Sequence, residues 1–304
     1  MEHPFRKELL ALLLTIVLTV NATSQKKKSS VTVSDSKIEK PKKRKKKVKL
    51  PEIDLTNWKV TIPAGKGKGG AISVSSPEIL DYATNEILRP YMYNDSTKGA
   101  LSFYAYPTSA TTANTKYSRS ELREQMAPGD DNVNWTFKQG GTLKAKLAMD
   151  EVSRDENGKY HKVIILQIHG RLTNEQRDLI GQKDNNAPPV LKIYWQNGKI
   201  RVKTKKLKFA GVDSKGILHK EAWTDDDGFN FEQEVGFRKF QIEVEVTDGK
   251  MVVSLNKTEY AVYDDFNIKR WGVFENYFKA GNYFQSRDEG SFARVNYYEL
   301  VVTH

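Results

Sequence analysis

From Ile53 onward the chain is written in short runs of alternating apolar and polar residues, and this two-residue period constrains the fold more than any other feature. Alternation at that period puts successive side chains on opposite faces of a strand, so one face can be buried while the other stays polar. Trp58–Ile62, Gly141–Met149, Val163–His169, Val190–Trp195, Lys199–Lys205, Phe240–Val246, Met251–Leu255 and Arg294–Val302 all read this way. Asn197-Gly198 and Asp248-Gly249 are hairpin dipeptides, suited to tight turns that need positive φ. The first run is expected to stop at Pro63, with Ala64–Gly70 a loop. Helical signal is scarce; Ser76–Tyr82, where Pro77 and Glu78 follow a serine, is the best short candidate. Gly170–Pro189 and Lys203–Asp227 read as long polar loops. The expectation is an all-β chain folded as an antiparallel sandwich or jelly roll.

The segment before these runs is different in kind. Arg6 and Lys7 precede an apolar run, Leu9–Val20, and Val20-Asn21-Ala22 offers small residues at a cleavage position. Residues 1–22 therefore read as a secretory signal peptide, because the run is too short to cross a ~30 Å hydrocarbon core comfortably. The competing reading is an uncleaved anchor. Residues 23–51 contain no aromatic side chain and little apolar periodicity, so they read as a Lys-rich disordered linker. A solvated spacer and an electrostatic tether to a polyanion both fit that linker. Residues 52–304 are left as the folded domain. The chain has no cysteine, which removes disulfides, thiol nucleophiles and Cys-based metal sites from consideration.

The net charge of +11 suggests nucleic-acid binding only until the chain is divided. Residues 26–49 hold twelve Lys or Arg against Asp35 and Glu39, whereas residues 50–304 hold 35 basic and 34 acidic side chains. The domain is close to neutral, and no nucleic-acid partner is expected.

Three segments stand out from the β background. In Ser118-Arg-Ser-Glu-Leu-Arg-Glu124, a strand puts Arg119, Glu121 and Arg123 on one face and Leu122 on the other. Gln167 and His169 share a face, with Ile168 opposite. In Tyr277–Gln285, one row holds Tyr277, Lys279, Gly281, Tyr283 and Gln285, and the other holds Phe278 and Phe284. Each segment alone has an ordinary explanation, as a salt-bridge row, a surface pair or a core strand. Together, with matching parity, they describe a sheet with a core face and a face dense in Arg, Lys, Gln, His and Tyr. Gly281, in the polar row, is expected to let a ligand approach closely.

Arg-Ser-Glu-Leu-Arg, Gln-Ile-His and Tyr-Phe-Lys-Ala-Gly-Asn-Tyr-Phe-Gln resemble the three signature blocks of the family 7 polysaccharide lyases, the alginate lyases. Asp54–Pro63 is similar to that domain's first strand, so the resemblance spans roughly residues 52–304. It implies a β-jelly roll of two antiparallel sheets whose concave face binds the polymer. It also implies β-elimination, in which the C5 proton, α to the uronate carboxylate, is removed and the O4 glycosidic oxygen leaves. The resemblance assigns Arg119 and Gln167 to neutralising the carboxylate, roles that suit a permanently charged bidentate donor and an amide. His169 is the implied base for guluronate with Tyr283 as the acid; for mannuronate Tyr283 would perform both tasks. An ordinary Tyr pKa near 10 means that a base role needs nearby cations, which Arg119, Arg123 and Lys279 could supply. Glu121, Arg123, Tyr277, Lys279 and Gln285 are expected to bind substrate and hold the site's geometry. Ile168 leans toward acceptance of guluronate-containing blocks. No cofactor or metal is implied, and the expected protein is a secreted monomer whose partner is alginate, with no membrane contact after signal cleavage.

Two other readings compete. A lyase for another polyuronate, such as glucuronan, would use the same groups. A non-catalytic polyuronate-binding module would need the Arg and aromatic contacts but not Gln167, His169 and Tyr283 together. A glycoside hydrolase would need a carboxylate pair, and Glu121 has no evident partner in the sequence.

Overall fold

The computed structural model describes residues 49–304. The signal-peptide reading of 1–22 and nearly all of the linker reading of 23–51 lie outside the described residues. What is described is a jelly-roll sandwich of two antiparallel sheets, one of ten strands and one of seven. The larger sheet runs in the order Trp223–Asp225, Lys199–Leu207, Asn186–Gln196, Val163–Arg171, Glu275–Phe284, Arg119–Glu124, Trp58–Gly65 and Ala71–Val74. Phe229–Glu234 and Trp135–Thr136 pair onto it from the side. The smaller sheet runs Glu259–Tyr263, Lys250–Leu255, Phe240–Thr247, Gly141–Val152, Ala293–Thr303, Ala100–Ala105 and Met92–Asp95.

The alternation in the sequence becomes the two faces of the larger sheet. Val60, Ile62, Leu122, Ile168, Phe278 and Phe284 point into the core and are essentially unexposed. They pack against Phe103, Leu147, Val244 and Val295 of the smaller sheet in one continuous hydrophobic cluster. The opposite side chains of the same strands face the cavity described below. The three signature segments are thus neighbours: the Tyr283 strand lies between the Arg119 strand and the His169 strand, pairing Lys279 with Arg123 on one side and with Gln167 on the other.

One irregularity interrupts this pairing. Ala280 is opposite Leu166 and Tyr283 opposite Ile164, so Gly281 and Asn282 together face the single residue Ile165. Such a bulge bends the strand and re-aims the side chains beyond it. Tyr297, from the smaller sheet, accepts a hydrogen bond from the Gly281 N–H through its hydroxyl and donates to the Ile165 carbonyl. A phenol from one sheet therefore satisfies the backbone groups that the bulge leaves open in the other. Gly281 has φ +134°, and a Cβ there would sit 2.7 Å from the Ser120 carbonyl oxygen and 3.0 Å from the Glu121 Cα. The absent side chain makes room for the adjacent strand. The expected close approach of a ligand is corrected accordingly.

Other expectations shift in detail. The first strand continues through Pro63 to Gly65, with a register shift between Thr61 and Gly65. Ser76–Tyr82 contributes only a single 3-10 turn, Glu78–Asp81. Gly170–Pro189 is not a loop throughout. The His169 strand runs to Arg171, a short helix occupies Asn174–Ile180, and the next strand starts at Asn186. Likewise the strand Lys199–Leu207 extends into the supposed loop Lys203–Asp227, which also holds the strand Trp223–Asp225.

Candidate active site

A cavity of about 860 Å3 opens on the outer face of the larger sheet. Arg119 and Arg123, Gln167 and His169, and Tyr277, Lys279, Tyr283 and Gln285 all line it. The parity expected from sequence is realised: apart from Glu121 and Gly281, the members of all three rows turn to the same space. Its wall carries eight Lys or Arg side chains and two Asp, Asp131 and Asp184. The positive field that the neutral domain total conceals is local to this cavity, where low-dielectric walls strengthen it.

The floor is organised by one carboxylate. Glu121 is 1% exposed and does not line the cavity, so its expected substrate contact is corrected and its geometry-holding role remains. Its Oε2 sits 2.8 Å from Arg119 Nη1 and 2.5 Å from Lys279 Nζ. Its Oε1 accepts from Gln167 Nε2 at 2.6 Å. Burial alone would raise the Glu121 carboxyl, but Lys279 and Arg119 outweigh it and hold the group below its ordinary value. One ionised oxygen pair thereby fixes three donors that face the cavity. Arg119 is held by Nη1 only, and its Nε and Nη2 are buried without a partner among the described residues. That edge is the one a guanidinium offers to a carboxylate in a two-pronged grip. Lys279 is pushed down to about 8 by burial, against the pull of Glu121 and with the help of Arg119.

His169 sits in a stack. Its ring lies 5.2 Å from that of Tyr277 and nearly parallel to it, and the Arg123 guanidinium covers Tyr277 at 4.1 Å. His169 Nδ1 is 3.0 Å from the Gly170 carbonyl oxygen. A carbonyl only accepts, so Nδ1 carries the hydrogen and Nε2 keeps its lone pair. Burial, joined by the charges of Lys279 and Arg119, pushes the imidazole down to about 3. It is therefore neutral in the range where enzymes work, in the tautomer a base requires.

Arg123 is committed to scaffolding. It donates to the Glu124 and Asp131 carbonyls and to Asn134 Oδ1, tying down the segment beside the cavity. Arg119 lies over the Tyr283 ring at 3.8 Å. Even so, burial outweighs that cation and raises the Tyr283 phenol above its ordinary value. A base role for Tyr283 would need its neighbouring cations to outweigh burial, and here burial prevails. Arg123 and Lys279 are engaged with Tyr277 and Glu121, and a protonated Tyr283 is a donor. Gln285 Nε2 donates to the Tyr283 carbonyl at 3.2 Å and marks one end of the cavity.

Several lining residues went unnoticed in the sequence. Arg171 continues the row of Gln167 and His169 and is held by Glu275 and Asn132. Lys59 and Thr61 come from the first strand, and Lys192 and Tyr194 from the strand beside His169. Each lies at the alternation that places it outward, so the period-two signal extends beyond the three segments. Asn114 donates to Asp184 at 3.3 Å, joining two wall loops that no local pattern links.

A family model described as alginate lyase matches residues 53–304. Among solved structures, the family 7 alginate lyase A1-II' is similar with a TM-score of 0.62 at 30% sequence identity, over 83% of this chain and 96% of that one. A variant of that enzyme, with a histidine changed to asparagine and a tyrosine to phenylalanine, was solved in complex with a substrate written GGMG; it is 28% identical, with a TM-score of 0.62, over 82% of this chain and 93% of that one. An alginate lyase of Klebsiella pneumoniae is 24% identical, the match covering 83% of this chain and 90% of that protein.

Proposed function

The chain belongs to the alginate lyase family, whose model spans residues 53–304, and from that premise we propose a secreted enzyme that cleaves alginate at guluronate-containing blocks, with Arg119, Gln167, His169 and Tyr283 carrying the reaction. One observation carries the assignment of roles. The buried Glu121 fixes Arg119, Gln167 and Lys279 beneath a cation-rich cavity that also holds a neutral imidazole and a protonated phenol.

The chemistry follows from those states. The unpartnered Nε–Nη2 edge of Arg119 takes the uronate carboxylate, and the second amide hydrogen of Gln167 supports it, so that charge developing on the enolate-like intermediate is neutralised. His169 Nε2 removes the C5 proton. The C5–H electron pair becomes the C4=C5 double bond, the C4–O4 bond breaks, and O4 takes the phenolic proton of Tyr283. One product gains an ordinary reducing end, and the other gains a 4,5-unsaturated uronate at its non-reducing end. Solvent returns the proton from His169 to Tyr283.

The preference for guluronate rests on the same protonation states. In guluronate the C5 proton and O4 lie on opposite sides, as a separate base and acid require. Mannuronate presents both on one side and asks Tyr283 to act as base, against the direction in which burial moves it. The secretion reading is supported by the basic, apolar and small-residue order of residues 1–22.

Polyguluronate, polymannuronate, mixed alginate and glucuronan, each followed by ultraviolet absorbance and by reducing ends, test this directly. Absorbance is expected fastest from guluronate-containing polymers, and His169→Ala should reduce that rate by about 10²–10⁴-fold, the range of general acid–base catalysis. Reducing ends without absorbance would indicate hydrolysis, and faster absorbance from glucuronan would move the substrate to another polyuronate.

A further inference from the structure

A second cavity of about 400 Å3 adjoins the first, and Tyr117 and Gln285 line both. Its volume lies within the range of ligand sites, yet none of the groups assigned to the elimination belongs to it. It begins where the reaction centre ends, because the Tyr117 ring is edge-on to Tyr283 at 6.4 Å.

Its lining has a built polar group. His161 is 8% exposed, and its Nε2 is buried with no hydrogen-bond partner among the described residues. The nearest acid, Asp288 Oδ2, is 3.6 Å away, too far for a hydrogen bond. The ring is packed edge-on to Phe284 at 5.5 Å, so its orientation is set by the core. A buried nitrogen without a partner is a cost that a ligand hydroxyl or carboxylate removes. Around it stand Lys159, Lys162 and Arg287. Arg287 is held at the junction of the two cavities, donating through Nε to the Lys116 carbonyl at 3.0 Å with its guanidinium 5.9 Å from the Tyr117 ring centre. Of the two acids in the lining, Asp155 already accepts from the backbone N–H groups of Asn157 and Lys159. Asp288 remains to accept from a hydroxyl.

We propose that this second cavity is a distal subsite for a uronate residue of the same polymer chain, beyond Tyr283. Arg287 and Lys162 take its carboxylate, His161 Nε2 and Asp288 take ring hydroxyls, and Tyr117 flanks the sugar where the chain passes from one cavity to the next. The proposal rests on the alginate-lyase reading and deepens it: the groove is longer than the reaction centre requires, and it rewards chain length.

The test is kcat/KM, from absorbance of the unsaturated product, across purified oligoguluronates from trimer to octamer. For the wild-type protein it should rise with length until the second cavity is filled. Lys162→Ala/Arg287→Ala, on exposed side chains, should lose about tenfold on the longest oligomers and nothing on the shortest one cleaved, which is about 1.4 kcal/mol of binding realised only by long chains. His161→Phe keeps the ring packing on Phe284 and removes Nε2, so it should show the same length-dependent loss. A double variant equal to wild type at every length overturns the subsite, as does one weakened equally at every length. A wild-type protein that forms no unsaturated product at any length overturns the lyase reading itself, and the subsite with it.

Discussion

The residue that explains most of the site is one that does not touch the cavity. Glu121 is an unexposed carboxylate whose two oxygens hold an arginine, a lysine and an amide. Glu121→Gln would leave two buried cations without a counter-charge, so stability should fall by about 3–5 kcal/mol in a denaturant titration. The same substitution removes the group that supports the Lys279 proton. That proton sets a pH dependence with a definite sign. Lys279 is charged below its value of about 8 and neutral above it, so kcat/KM should decline as pH rises through that value. Lys279→Arg, permanently charged, should carry the decline to higher pH, and Glu121→Gln should bring it lower. At this scale the sequence was informative about faces and silent about partners. Alternation places Arg119, Glu121 and Arg123 together, but only the three-dimensional arrangement separates the arginine that keeps an unpartnered edge from the one bound to Asp131 and Asn134. Nor could sequence weigh burial against charge at Tyr283, where burial wins.

Between residues and the molecule stand the strands, and the bulge at Gly281 and Asn282 is the element that aims Tyr283. Tyr297→Phe keeps the ring but leaves the Gly281 N–H and the Ile165 carbonyl unsatisfied. It should cost about 1–3 kcal/mol in thermal or denaturant unfolding and lower turnover, although it lies on the sheet away from the substrate. Most strands were legible because each buries one face, and the period of two is the record of that burial. The helix Asn174–Ile180 was not, because it buries no residue and so leaves no apolar stripe. Its signal lay elsewhere, in the capping box of Thr173 with Gln176 and in Gly181, whose φ of 67° closes it. The bulge was equally invisible, since it depends on a tyrosine many residues away on the other sheet.

At the scale of the whole molecule, charge is distributed so that totals mislead. The domain is nearly neutral while the cavity wall carries eight cations against two aspartates. Polymer affinity should therefore weaken with added salt, and turnover at saturating polymer should change much less, because screening acts on the encounter more than on the buried Glu121 cluster. The Lys-rich tract lies almost wholly outside the described residues. If it is a tether, deleting residues 24–49 should weaken retention on an alginate gel and its salt dependence, and leave kcat on short oligomers intact; if it is a spacer, retention should not change. The central claim is that elimination at this cavity needs the Tyr283 proton. Its most direct measurement is the rate of unsaturated product formed by Tyr283→Phe on purified polyguluronate and polymannuronate, with polymer affinity recorded alongside. A fall of about 10²–10⁴-fold on both, with affinity nearly unchanged, is predicted. A rate close to that of the wild-type protein on both polymers would contradict it.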